Sequence, residues 1–209
     1  MTQSEPAENS PIVYIVDDDE DVRGGVTDLF CSVGLPVKNY ASTQAFLADI
    51  LPDRPSCLIL DVRLPGESGL EFQARLNAAG TRLPIIFISG HADVPMSVQA
   101  MKSGAVDFLP KPFREQELLD AVSAALRADA KRRVEERDMD ELRLLASQLT
   151  PREVEVLRAV DRGLLNKQIA HELGIAEITV KIHRSSAFRK LKAKSITDLV
   201  QKVRRLDLR

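Results

Sequence analysis

Five polar side chains between residues 17 and 111 have the types and spacing needed for phosphoryl chemistry. Asp17 and Asp18 follow one apolar run, Asp61 ends another, Ser89 ends a third and Lys111 stands after a fourth. An aspartate can accept a phosphoryl group, neighbouring carboxylates can hold Mg²⁺, and a lysine and a hydroxyl can bind phosphoryl oxygens. The set would carry out phosphoryl transfer to a carboxylate if the fold brought its members together.

The apolar runs are typical of buried strands that alternate with helices. Predicted strands cover residues 12–16, 37–41, 57–61, 84–90 and 105–109. Predicted helices cover residues 22–33, 42–51, 69–79 and 94–103. Such alternation implies right-handed crossovers and an α/β fold with a doubly wound, five-stranded parallel sheet. The carboxyl ends of parallel strands meet at one edge, where the polar side chains would converge.

Each of these residues, taken alone, has a simpler interpretation. Asp61 could be a hydrated carboxylate at a strand end, and the acidic run 17–21 could be a solvated surface. Lys111 could be a surface cation, and Ser89 could cap a strand. The convergence of four strand ends outweighs these interpretations and favours one shared site.

Charge is divided unevenly along the 209 residues, although the net charge is only −2. Residues 1–127 hold 10 basic and 18 acidic side chains, whereas residues 150–209 hold 14 basic and 7 acidic ones. An acidic front and a basic back predict two modules with different partners. The basic module is typical of a nucleic-acid-binding domain.

The sequence predicts neither a membrane protein nor a secreted one. No apolar run approaches the ~18 residues that a membrane span needs. Residues 1–11 lack the basic start and apolar middle of a signal peptide, so we predict a disordered tail and a cytoplasmic protein. Cys31 and Cys57 lack metal-ligand spacing and are predicted to be small buried hydrophobes.

The stretch 12–127 resembles the receiver domain of two-component response regulators. The resemblance is carried by Val16-Asp17-Asp18-Asp19, Leu60-Asp61-Val62-Arg63-Leu64-Pro65-Gly66, Ser89-Gly90-His91 and Lys111-Pro112-Phe113. It implies strand order 2-1-3-4-5 and phosphorylation of Asp61 by a sensor histidine kinase. It also implies a Mg²⁺ site in which Asp61, Asp18 and the backbone carbonyl of Arg63 are ligands and Asp17 acts mostly through water.

The resemblance extends to the residues that would respond to the phosphate. The Lys111–Pro112 peptide bond is expected to be cis. Ser89 takes the position of the switch hydroxyl, where threonine is commoner, and Phe108 takes that of the aromatic switch, which is often tyrosine. Phosphorylation would draw in Ser89, turn Phe108 inward and alter the surface of helix 94–103 and the fifth strand, which would then dimerise.

The segment 113–150 contains neither glycine nor proline and is rich in Glu, Arg, Ala and Leu, which favours one long helix. Its apolar residues form two stripes, Leu118, Leu119, Val122 and Leu126 followed by Met139, Leu142, Leu145 and Leu149. These stripes could pack on either domain or on a partner helix, and the charged middle is predicted to be a solvated spacer. The predicted organisation is a receiver domain over 12–127, a helical linker over 128–148 and a second domain over 149–209.

The last sixty residues have the pattern of an all-α, four-helix domain. Thr150-Pro151-Arg152-Glu153 forms a capping box, and helices are predicted over 153–161, 166–173, 177–191 and 197–206, with Asn166 as the cap of the second. A short helix, a glycine turn and a basic helix describe a helix-turn-helix.

A helical projection of the third of these helices separates a core face from a DNA-binding face. At about 100° per residue, the core face holds Val180, His183, Ala187 and Leu191. The opposite face holds Lys181, Ile182, Ser185, Arg189 and Lys192. Arg184 stands at the border and could reach a phosphate. His183 is better explained by packing than by base reading, because its face is apolar.

This C-terminal stretch resembles the LuxR-type helix-turn-helix, and the two domains together resemble the NarL/FixJ subfamily of response regulators. The resemblance to the LuxR-type helix-turn-helix is carried by Leu149-Thr150-Pro151-Arg152-Glu153, Asn166-Lys167-Gln168-Ile169-Ala170 and Thr179-Val180-Lys181-Ile182-His183. It implies base contacts by Lys181, Ile182 and Ser185, and backbone contacts by Asn166 and Lys167. It implies as partners a histidine kinase, double-stranded promoter DNA with paired half-sites, a second copy of the chain after phosphorylation, and RNA polymerase.

Two other classes of protein would share part of these features. An aspartyl-phosphate hydrolase also uses a strand-end aspartate and Mg²⁺, but it usually needs a second aspartate two residues later, where this chain has Arg63. A signalling protein that binds only proteins would not need a basic C-terminal domain. Apart from self-phosphorylation and self-dephosphorylation of Asp61, no enzymatic activity is expected.

Overall fold

The computed structural model describes residues 10–90 and 93–208. Residues 1–9 of the predicted tail and His91 of the receiver motif lie outside the described residues. The described residues divide into two compact units, one up to Arg133 and one from Val134 onward. Among the described residues, no helix is long and apolar enough to cross a membrane.

The first unit is built on a parallel sheet with strand order β2-β1-β3-β4-β5, as the receiver resemblance predicts. The strands are β1 (Ile12–Val16), β2 (Val37–Tyr40), β3 (Ser56–Asp61), β4 (Ile85–Ser89) and β5 (Asp107–Pro110). Neighbouring strands are all parallel, and the register sets Val16 beside Leu60 and Asp61 beside Ile88. The carboxyl ends of β1, β3 and β4 therefore lie at one edge of the sheet.

The sheet is covered on both faces, so β1, β3 and β4 are buried at every position and are mostly apolar. The helices are α1 (Glu20–Ser32), α2 (Thr43–Leu47), α3 (Gly69–Ala78), α4 (Val94–Lys102) and the long α5 (Glu115–Ala146). One face packs Val13, Ile15 and Ile59 against α1 and the start of α5. The other packs alternate residues of the same strands against α2, α3 and α4.

Several elements differ from their predicted bounds by a few residues, and α2 and β5 are examples. α2 ends at Leu47 rather than residue 51, because the N–H of Asp49 bonds back to the carbonyl of Phe46, three residues earlier, instead of continuing the helical pattern. β5 begins at Asp107 rather than residue 105, because the N–H of Ala105 bonds back to the carbonyl of Ala100 after Gly104 turns the chain. Cys57 is buried as predicted, but Cys31 is exposed, so that prediction was wrong.

The long helix α5 contributes to both units, and its two apolar stripes have different partners. Leu118 and Val122 are fully buried against the sheet, in the first unit. Leu142 is buried in the core of the second unit, where Met139 and Leu145 pack against the same cluster. Each stripe therefore packs on the nearer unit.

The second unit contains four further helices, as predicted. They are α6 (Pro151–Asp161), α7 (Asn166–Leu173), α8 (Glu177–Lys190) and α9 (Ile196–Arg205). The capping box of Thr150 and Glu153 is present at the start of α6. Asn166 is not the cap of α7 but its first helical residue, and the Gln168 side chain accepts from the N–H of Leu165 instead.

Candidate functional site

The first candidate site lies where β1, β3 and β4 end. Asp17 and Ser89 are fully buried and Asp61 is 7% exposed, whereas Asp18 is open to solvent. Lys111 follows β5 directly and is half-buried. The parallel topology thus brings the five predicted side chains to one edge of the sheet.

Three of these residues form a group that could hold a metal ion. One carboxylate oxygen each from Asp17, Asp18 and Asp61 lies within 4.8 Å of the others. Oδ1 of Asp61 is buried and has no hydrogen-bond partner among the described residues. A hard cation such as Mg²⁺ favours one or two carboxylates together with water and phosphate oxygens, so the donor set fits that ion.

Lys111 supplies the positive charge of the pocket. Its Nζ is 2.6 Å from Oδ2 of Asp17 and 3.5 Å from Oδ2 of Asp61. Burial raises the pKa of Asp61, the Lys111 ammonium opposes that rise, and the Asp17 carboxylate adds to it. A second cation in the pocket would therefore favour the ionised, nucleophilic form of Asp61.

The aspartates that follow β1 have different roles, which their common residue type does not indicate. Oδ1 of Asp17 accepts the N–H of Asp19 at 2.9 Å, and the Asp17 carbonyl accepts from Nη1 of Arg23 at 2.8 Å. The Asp19 side chain caps α1 by accepting the N–H groups of Asp21 and Val22. Thus Asp17 and Asp18 belong to the pocket, while Asp19 starts a helix.

Gly69 allows α3 to begin close behind Asp61. A Cβ at position 69 would lie 2.3 Å from the carbonyl oxygen of Asp61 and 3.1 Å from the Phe87 ring. The N–H of Gly69 donates to the carbonyl of Val62 at 2.9 Å, and Ser68 with Glu71 forms a capping box. The sequence analysis missed this close approach, although the glycine directly after the Ser68 cap was a usable signal.

The two switch candidates stand on neighbouring strands. Ser89 is fully buried at the end of β4. Phe108 on β5 is half-buried, and its ring centroid is 6.2 Å from that of Phe87. The Lys111–Pro112 bond is cis, as expected, and the side chain of Arg63 is exposed.

The second candidate site is the outer face of α8 in the second unit. Val180, Ala187 and Leu191 are fully buried, as the helical projection predicts. The opposite face exposes Lys181, Ile182, Ser185 and Arg189. His183 is half-buried, which agrees with a packed position at the edge of the core.

Three of the four remaining predicted DNA-binding residues make polar contacts. Asn166 Oδ1 accepts from Nη1 of Arg184 at 2.5 Å, which ties the start of α7 to α8, and Lys167 is exposed. Lys192 lies beyond the end of α8 in a left-handed conformation with φ +48°, and its Nζ is 3.2 Å from Oε1 of Glu141. It therefore does not continue the helical face on which the projection set it.

Glu153 fixes the position of α8, a role the sequence analysis did not predict. Its Oε2 accepts both the N–H of Thr150 and the ammonium of Lys190, each at 2.7 Å. Burial alone would raise the pKa of Glu153, but the hydrogen bonds from Lys190, Thr150 and Ser186 lower it to about 2. One carboxylate thus links the start of α6 to the end of α8.

Two families of known domains match the two units. Residues 13–123 match the response regulator receiver domain, and residues 147–203 match the luxR family of bacterial regulatory proteins. Nodulation protein W of Bradyrhizobium diazoefficiens is 52% identical over 195 residues, which are 93% of this chain and 86% of that protein. The transcriptional regulatory protein FixJ of Azorhizobium caulinodans is 41% identical over 189 residues, 90% of each chain.

A solved structure of the response regulator StyR is similar over most of its length. It is 48% identical to this chain with a TM-score of 0.83, and the match covers 93% of this chain and 98% of that one. The family of the chain is therefore shown by sequence and by fold. It belongs to the response regulators of the NarL/FixJ type, in which the receiver domain implies a histidine kinase partner and the LuxR-type domain implies DNA binding.

Proposed function

We propose that the chain is a transcriptional regulator whose DNA binding is switched by phosphorylation of Asp61. An ionised carboxylate oxygen of Asp61 attacks the phosphorus of a phosphohistidine on the kinase or of a small acyl phosphate. The new O–P bond forms as the bond to the leaving histidine nitrogen or acyl oxygen breaks, so the donor departs without its phosphoryl group. The buried position of Asp61, with one oxygen lacking a protein partner, supports this role.

Asp17, Asp18, Asp61 and the carbonyl of Arg63 would hold Mg²⁺, which neutralises charge on the phosphoryl oxygens when bound. The ammonium of Lys111 also neutralises charge on the phosphoryl oxygens. It lies 2.6 Å from the carboxylate of Asp17 and 3.5 Å from that of Asp61. The hydroxyl of Ser89 donates a hydrogen bond to a phosphoryl oxygen once the phosphate is present. Each of these contacts favours the phosphorylated state.

The switch passes from Ser89 to Phe108 and then to the surface of α4 and β5. Movement of Ser89 towards the phosphate frees space into which the half-buried Phe108 turns. Three apolar side chains of α4 are exposed, namely Val94, Val98 and Met101. Such an apolar surface supports dimerisation of two phosphorylated receivers.

Dimerisation would bring two LuxR-type domains onto paired DNA half-sites. The exposed face of α8 enters the major groove, where Lys181, Ile182 and Ser185 contact bases. The surrounding polar residues contact the phosphate backbone, namely Arg184, Arg189, Lys192, Asn166 and Lys167. The excess of 14 basic over 7 acidic residues in 150–209 supports this assignment. A dimer bound at a promoter would then contact RNA polymerase.

One observation carries the proposal: a buried, strand-end aspartate stands beside two further carboxylates and a lysine, in a chain that also has a LuxR-type domain. The test is phosphorylation of the full chain by acetyl phosphate with Mg²⁺, followed by sedimentation. The wild type and Asp28→Asn, a control at an exposed aspartate of α1, should incorporate phosphate and dimerise. Asp61→Asn should do neither, and a full response by that variant would overturn the proposal.

A further inference from the structure

Two exposed isoleucines lie at the beginning of α8. Ile178 is 64% exposed and Ile182, one turn later, is 60% exposed. Side chains four residues apart on a helix lie on the same face. Val180, between them in sequence, is fully buried, so the isoleucines are directed away from the core. We call Ile178 and Ile182 the isoleucine patch.

The exposed neighbours of the patch on α8 are polar. Lys181 and Glu177 form an ion pair beside it, with Nζ and Oε1 3.3 Å apart, and Ser185 is exposed one turn after Ile182. Single exposed apolar side chains are common on proteins and need no explanation; Ile196 of α9, 50% exposed, is an example. A pair set among charged and hydroxyl side chains on the proposed DNA-binding face is different, because that face is otherwise polar.

The chemistry of the major groove offers a specific ligand for such a pair. Its base edges present hydrogen-bond donors and acceptors, together with one apolar group, the 5-methyl of thymine. In a helix-turn-helix the first residues of the recognition helix are those that reach base edges. Ile178 is the second residue of α8. Its branched side chain has few rotamers in a helix, so its methyl groups are held in place before binding.

We propose that Ile178 is a specificity-determining residue that contacts the 5-methyl group of a thymine. This inference rests on the proposed binding of DNA by α8 and adds the base that its first turn selects. Isoleucine cannot hydrogen-bond to a base edge. A cytosine, adenine or guanine at that position would therefore lose hydrogen bonds to water and gain none from the protein. In each half-site, a base next to the one that Ile182 contacts should therefore be thymine.

The test uses the full phosphorylated chain and duplexes that it selects from a random library. Each thymine of the selected half-site is replaced by uracil, which removes only the methyl group. Replacement at the Ile178 contact should weaken binding about fourfold, the effect of one buried methyl group. Ile178→Ala should bind thymine and uracil equally there, while Ile178→Val, which keeps the branch, should retain most of the difference.

Ile196→Ala is the matched control, because it removes the same atoms from an exposed isoleucine of the same domain. At every position, it should leave the ratio of the affinities for the thymine and the uracil duplex unchanged. The inference would be overturned if the selected half-sites contained no thymine. It would also be overturned if Ile178→Ala kept the wild-type ratio of affinities for thymine and uracil duplexes at every thymine. Failure of the proposed function is distinct, because the wild type would then select no duplex and bind none in a salt-dependent way.

Discussion

The two candidate sites differ in how the fold builds them. The pocket around Asp61 draws on the ends of several strands, and the buried carboxylates of Asp17 and Asp61 share the half-buried ammonium of Lys111. The site on α8 draws on one face of a single helix, and its ion pairs, such as Lys181 with Glu177, are open to solvent on both sides. The first site therefore acts as a unit whose members depend on each other, whereas the second is a set of nearly independent contacts.

This difference has an energetic consequence. A buried charge that loses its partner destabilises the fold, but an exposed charge that is removed changes stability little. Substitutions in the pocket should alter the free energy of unfolding as well as function. Substitutions on the exposed face of α8 should alter binding alone.

The largest expected effect comes from Lys111→Ala in buffer without divalent cations. Asp17, fully buried, would lose the ammonium 2.6 Å away, and two carboxylates would face each other unpaired. We expect a loss of about 3–5 kcal/mol in the free energy of unfolding, with Mg²⁺ restoring part of it. Both tyrosines of the chain, Tyr14 and Tyr40, lie in the receiver, so tyrosine fluorescence during urea unfolding reports on this unit.

The control for that variant is Lys38→Ala. Lys38 also pairs with a carboxylate, Asp49, at 2.8 Å, but its side chain is 45% exposed. Its removal should cost at most about 1 kcal/mol. Equal losses for the two lysines would show that the pocket is not a mutually dependent unit.

A somewhat smaller loss is expected from Gly69→Ala. The new Cβ would lie 2.3 Å from the carbonyl oxygen of Asp61, so β3 and the start of α3 must separate. We expect a loss of about 2–3 kcal/mol in receiver stability, together with slower phosphorylation by acetyl phosphate. Gly25→Ala in α1 is the control, since nothing lies within 4 Å of its Cβ position and alanine favours helix. It should be neutral or stabilising, and a neutral Gly69→Ala would contradict the close approach.

On α8, Lys181→Ala should lower DNA affinity by about 1–3 kcal/mol if the lysine reads a base. Its side chain is 56% exposed, so thermal unfolding should be unchanged. Binding isotherms with a selected and a random duplex separate base reading from general attraction. Lys194→Ala, which removes the same charge from an exposed lysine of the same domain, should weaken both duplexes alike. If Lys181→Ala also weakened binding to both duplexes alike, base reading by Lys181 would be contradicted.

The last prediction is a pH dependence from Glu153, a strongly shifted carboxylate of the second unit. Its folded pKa of about 2 lies below the ordinary 4.5, so its ionised form stabilises the fold above about pH 4.5. That contribution is lost as pH falls towards 2. The stability difference between wild type and Glu153→Gln, measured by hydrogen exchange of α6 and α8 amides, should therefore shrink over this range. A difference that stays constant would exclude ionisation of Glu153 as its source.

Sequence patterns predicted the features that depend on local order. Apolar runs and their boundaries predicted the strands, and chain topology then required Asp17, Asp61 and Ser89 to converge. Patterns could not predict the contacts that depend on three-dimensional packing. Asp129 of α5 is an example, because its carboxylate accepts the N–H of Ser56 at 3.0 Å across 73 positions of sequence. The pairing of Glu153 with Lys190 is another.

The turn after α8 shows a second limit of sequence patterns. A helical projection assumes that the helix continues, but α8 ends at Lys190 and Lys192 adopts a positive φ. Lys202 donates to the carbonyls of Leu191 and Lys192 at 2.9 and 3.0 Å and so fixes this end. The donor lies on α9, about ten positions later, and nothing in the projected segment indicates it.

The central claim is that the pocket controls DNA binding. It is tested most directly by the affinity of the full chain for a selected duplex, measured with and without acetyl phosphate in the presence of Mg²⁺. Acetyl phosphate should raise the affinity of the wild type by at least about tenfold and leave that of Asp61→Asn unchanged. Equal affinities of the wild type in the two conditions, or an equal rise for Asp61→Asn, would contradict it.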